Sequence, residues 1–131
     1  MLSKSTMVQV SLLCVLLLPN LALTGKHKNG HELVQDVHKE GTRIEFDEDQ
    51  DEVYDAVKEG LIQPFSVLYK TIEDQLHGRV IRVELEEEGD DEWVYELKLV
   101  HNNNIIKVEY NATTLEMIKI KGRNLHQVIK K

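Results

Sequence analysis

The chain is poor in cysteine, aromatic residues and positive charge. Its one cysteine, Cys14, can form no intrachain disulfide and no multi-thiolate metal site. Aromatics make up 5% of the residues, so a core has to be built mainly from Leu, Ile and Val. The 16 Lys+Arg stand against 23 Asp+Glu, for a net charge of −7. A nucleic-acid binder needs a basic excess to neutralise phosphates, and a polybasic membrane-surface protein needs the same. No G-x-S-x-G elbow, H-E-x-x-H helix or Gly-rich phosphate loop occurs. Neither an enzyme nor a bound cofactor is therefore expected. At 131 residues, one domain is the expectation.

What is present begins with an apolar run. Residues 1–24 carry one charge, Lys4, and are apolar from Val8 to Leu18 except at Gln9 and Ser11. Pro19 and Asn20 break the run, and the small residues Ala22, Thr24 and Gly25 follow. This pattern predicts a secretory signal peptide cleaved between Ala22 and Gly25. A spanning helix needs about 20 apolar residues, so no stable membrane insertion is expected after cleavage. Leu13 precedes Cys14 where a lipoprotein signal wants a small residue, and Cys14 leaves with the signal. A periplasmic or secreted product follows.

Residues 25–50 read as a polar linker. His27, His31 and His38 sit among Lys26, Lys28 and Lys39, and the one apolar cluster is Leu33, Val34 and Val37. His27 and His31 are spaced for a chelate on a helix, but histidines in a Lys-rich stretch are expected to be exposed. Asp47, Asp49 and Asp51 alternate as in a calcium loop. The sixth and twelfth positions hold Glu52 and Lys58 instead of Gly and Glu, so the motif fails. Acids opening a helix, where its dipole favours them, are the simpler expectation.

Residues 51–121 carry the periodicity of a folded domain. Val53, Ala56 and Val57 recur at helical spacing before Gly60; Phe65, Leu68, Tyr69, Ile72 and Leu76 form a longer apolar stripe after Pro64. Ser66 is expected to cap that second helix. After Gly78 the period becomes 2. Ile81, Val83 and Leu85 alternate with charges, as do Trp93, Tyr95, Leu97 and Leu99, then Ile106, Val108 and Tyr110, then Ile118 and Ile120. Turns are expected at 87–92, at Asn102–Asn104 and at 111–114. The expected architecture is α+β, with a helical N-terminal part on one face of a four-stranded antiparallel β-meander. Residues 122–131 read as a basic C-terminal tail.

The segments GLIQPFSVL (Gly60–Leu68), GRVIRVELE (Gly78–Glu86), WVYELKLV (Trp93–Val100) and IIKVEYNATTLEMI (Ile105–Ile118) together resemble a PepSY domain. The resemblance covers residues 52–121. It departs at the last hairpin, where Asn111 stands for the usual Asp and Leu115 for the usual Gly, so a wider or strained turn is expected there. PepSY domains occur on exported or membrane-linked proteins, including pro-segments that restrain peptidases. The resemblance thus implies a bacterial, non-catalytic protein-binding and regulatory module. Its partner would be a periplasmic or membrane protein, a peptidase or a sensor kinase. No catalytic residues carry over.

The candidate binding surface is the wet face of the sheet: Arg82, Glu84, Glu86, Glu96, Lys98, Lys107, Glu109, Lys119 and Lys121. The alternative is a metal or small-ligand sensor using the His-rich segment and the acidic runs. Lys119 and Lys121 lie on a terminal strand, where they oppose edge pairing, so a monomer is expected.

Overall fold

The switch from a helical to an alternating hydrophobic period at Gly78 divides the structure into a helical layer and a sheet. A computed structural model describes residues 29–131. The expected signal peptide and His27 lie outside the described residues. The elements are α1 (Gly30–Val34), β1 (Arg43–Phe46), α2 (Gln50–Lys58), α3 (Phe65–Gln75), β2 (Arg79–Gly89), β3 (Glu92–His101), β4 (Asn104–Asn111), β5 (Met117–Lys121) and α4 (Leu125–Val128). No helix among the described residues is long and apolar enough to cross a membrane.

The α+β class is as expected, but the sheet is five-stranded and mixed, in the order β1-β2-β3-β4-β5. Strands β2 to β5 pair antiparallel, and β1 adds in parallel to β2, with Ile44 opposite Val83 and Phe46 opposite Leu85. The expected linker is therefore wrong from residue 29 onward. Its two apolar residues at strand spacing, Ile44 and Phe46, pack against the core, and Val34 of α1 is 1% exposed. The expected C-terminal tail is also folded back. Ile129 bridges Leu76, and Val128 is buried. The N–H of Lys130 donates to the Gln75 carbonyl at 2.8 Å.

Alternation sorts the sheet into two faces, interrupted by register shifts at Ile81, at Glu88 and at Ile118, which is exposed while Met117 takes the inward place. Inward rows run across strands: Ile44, Val83, Leu97, Val108 and Ile120 form one, and Phe46, Leu85, Tyr95, Tyr110 and Met117 the next. The α3 stripe of Phe65, Leu68, Tyr69 and Ile72 joins them in one core, and Val53 and Ala56 of α2 extend it. Phe65 meets Tyr95 edge-on at 5.9 Å and stacks parallel to Phe46 at 6.2 Å. The two inward tyrosines keep their hydroxyls bonded, Tyr95 donating to the Gln63 carbonyl at 2.6 Å and Tyr110 to Gln75 Oε1 at 2.8 Å. This satisfies polar tips whose burial would otherwise cost stability.

Caps follow chemistry that the sequence shows only in part. Asp49 caps α2, its carboxylate accepting from the N–H groups of Asp51 and Glu52, so the alternating acids do open a helix. Pro64 precedes α3 without a side-chain cap. Ser66 is not the cap. Its N–H and hydroxyl both donate to Asp36, at 2.9 and 2.6 Å, so a carboxylate from the supposed linker closes the helix end. In the β4–β5 turn, Leu115 sits at φ 61, in the left-handed region that glycine enters freely. Asn111 Oδ1 accepts from the N–H groups of Thr113 and Thr114, holding the turn in place.

Gly30 marks the closest backbone approach. A Cβ there would lie 2.3 Å from both Gln50 O and Tyr54 N, so α1 can rest on α2 only through a glycine. Gly30→Ala is expected to cost about 1–3 kcal/mol as overpacking. Leu68, which is 0% exposed, should cost about 2–5 kcal/mol when cut to alanine. Urea denaturation of both variants checks these values. Removing the Asp36 carboxylate with Asp36→Ala should cost roughly 1 kcal/mol, read in the same way.

Candidate functional site

Because alternate residues of every strand point away from the core, the outer face collects the charges. All nine residues expected on it from sequence are there, and strand register arranges them by sign. One row across the sheet reads Arg43, Arg82, Lys98, Lys107 and Lys121. The next reads Glu45, Glu84, Glu96, Glu109 and Lys119. Glu86 lies one row further, opposite Val94. Like charges directly opposite each other on neighbouring strands are destabilising, so these rows work against the sheet that carries them. Arg43, Glu45 and Asp47 were not expected on this face. Their signal was the short alternation Arg43-Ile44-Glu45-Phe46, which a polar neighbourhood obscured.

Ion pairs along and across the strands offset part of the repulsion. Arg82 reaches Glu45 at 2.7 Å and Glu84 at 2.9 Å. Arg43 also pairs with Glu45, at 2.9 Å, and Lys119 with Glu109, at 3.6 Å. The hydrogen bond from Arg82 holds the Glu45 carboxyl below its ordinary range. Glu84 goes the other way, raised first by burial and then by Asp47 beside it. Glu86 is pushed up to about 8, chiefly by a hydrogen bond with Glu96 and then by burial. Such a carboxyl–carboxyl bond needs a proton between the groups.

A shallow hollow of about 290 Å³ opens on this face. Arg82, Lys98, Lys107, Lys119 and Lys121 line it together with Glu96 and Glu109. The acidic end of the face also brings carboxylates together. Donor oxygens of Asp47, Glu84 and Glu86 lie within 4.8 Å of one another, as do those of Glu86, Glu88 and Glu96; Glu48, Glu52 and Glu87 form a third such group on the helical side, Glu87 pairing with the inward Trp93. Among the described residues, no such group includes a histidine. His31 instead stacks on Phe46 at 4.0 Å and bonds the Glu48 carbonyl, and His38 bonds Gln35.

The chain matches no family model, and it matches no curated protein and no solved structure.

The raised Glu86 carboxyl gives stability a definite pH dependence. Between its ordinary value of 4.5 and about 8 the folded protein holds a proton that the unfolded chain has released. The unfolded state then binds fewer protons, so stability falls as pH rises through this window. Melting temperature measured from pH 5 to 8.5 should therefore decline, and Glu86→Gln should flatten the decline.

Proposed function

We propose that this chain is a non-catalytic binding and regulatory module of the PepSY type, exported by its signal peptide. It contacts a peptidase or a membrane sensor through the outer face of its sheet. The observation that carries this reading is the division of labour between the two faces. One is filled by the core, and the other holds a basic row and a row acidic up to its last strand, whose repulsion the fold tolerates. Charge rows of this kind set orientation and partner choice more than raw affinity.

Cross-linking of the tagged protein in its native compartment tests the proposal. One stoichiometric partner should be captured by the wild type and lost in Glu109→Lys/Lys107→Glu, with the melting temperature of the variant unchanged. Capture that is indifferent to both substitutions removes the outer face from the proposal.

A second reading, a divalent-cation sensor, draws support from the convergence of Asp47, Glu84 and Glu86. Carboxylates that share protons release them when a cation takes their place. Calorimetric titration with Ca²⁺ and Zn²⁺ decides it, and affinities no tighter than millimolar remove it.

A further inference from the structure

The charges of the outer face do not cancel locally, although the chain as a whole is acidic. Three of the four acids along the second row already have a cationic partner. Glu45 is held by Arg43 and Arg82, Glu84 by Arg82, and Glu109 by Lys119. Glu96 shares a hydrogen bond with Glu86. On the first row the balance is reversed. Lys98, Lys107 and Lys121 have no carboxylate within ion-pair distance among the described residues. They stand side by side in register on β3, β4 and β5, and all three line the same hollow. The unpaired positive charge of the face is concentrated at its β3–β5 side, one row away from Glu96.

We propose that this lysine row docks an acidic segment of a partner polypeptide across strands β3 to β5. This inference rests on the outer face being the binding surface and names the chemistry of what it binds. Neighbouring strands lie about 4.8 Å apart, so the three lysines from Lys98 to Lys121 span roughly 10 Å. That is the length of about three residues of extended chain, more than a single small anion can reach. The hollow is shallow and open, which suits a segment lying over the face. Carboxylates placed over the row would turn the like-charge contacts of Lys98, Lys107 and Lys121 into attraction. The paired acidic row beside it would repel the same segment, which fixes where it lies. A second copy of this chain presenting the same row would be repelled by it.

The test is titration of the whole ¹⁵N-labelled protein with a short poly-glutamate peptide, followed by amide shifts. Poly-lysine of equal length and inorganic phosphate serve as comparison probes. Saturable shifts centred on Lys98, Lys107 and Lys121, weakened by added salt, are expected from poly-glutamate alone. The triple variant Lys98→Gln/Lys107→Gln/Lys121→Gln should bind it about tenfold more weakly, the loss of three exposed charge pairs. These side chains are solvent-facing, and removing like-charge neighbours leaves the fold no less stable, so a melting curve separates lost binding from lost folding. Equal binding by the triple variant, equal binding of poly-lysine, or phosphate displacing the peptide at equal concentration overturns the inference. If poly-glutamate fails while partner cross-linking still depends on Glu109 and Lys107, the inference falls and the proposed function stands.

Discussion

The seating of α3 on the inner rows of the sheet is the contact on which everything else depends. With no disulfide to hold the chain, closure of the core rests on the stripe Phe65, Leu68, Tyr69 and Ile72 meeting Leu85, Leu97, Val108 and the two inward tyrosines. The tyrosine hydroxyls tie the layers at two places, at Gln63 before α3 and at Gln75 at its end. Once that face is closed, alternation leaves the charged residues nowhere to point but outward. The charged outer face is thus a consequence of how the core is filled.

The outer face shows what such a fold can tolerate. Register puts basic residues beside basic ones and acids beside acids across β2 to β4, and ion pairs from Arg82, Arg43 and Lys119 relieve part of the repulsion. Glu86, crowded with other acids, takes up a proton instead, and burial and Asp47 raise the Glu84 carboxyl as well. Surface pairs of this kind contribute little stability each, so the arrangement is better understood through what it can attract than through what it holds together.

Much of the sheet was legible because each of β2 to β5 announces itself by period-2 alternation between turn residues. The α3 stripe was equally plain, since apolar residues at helical spacing over three turns cannot line one face of a strand. The outer-face residues could be named from alternation alone, but their sorting into rows could not, because sign order depends on register. What escaped was made of weak local signals that tertiary contact made strong. Ile44 and Phe46 are two apolar residues in a polar stretch, too few to read as a strand until β2 offers an edge. Asp36 caps α3 across 30 residues of chain, and no local pattern encodes that bond. Val128 and Ile129 looked like part of a basic tail because the lysines around them outweigh them.

The parallel strand β1 has a consequence for how the molecule opens. Its partner in β2 lies across both α2 and α3 in sequence, so its pairing closes a long loop and must follow the placement of those helices. It is also an edge strand of four residues, joined to the sheet on one side only. In the hierarchy of partial openings it belongs to the unit that detaches at least cost. When it does, the edge of β2 is laid bare, and Arg82 loses its bond to Glu45 and keeps only Glu84 to offset its charge beside Lys98. The reach of the basic row is therefore linked to whether the N-terminal strand is docked, so tension or a contact applied upstream of residue 43 is felt on the far side of the sheet.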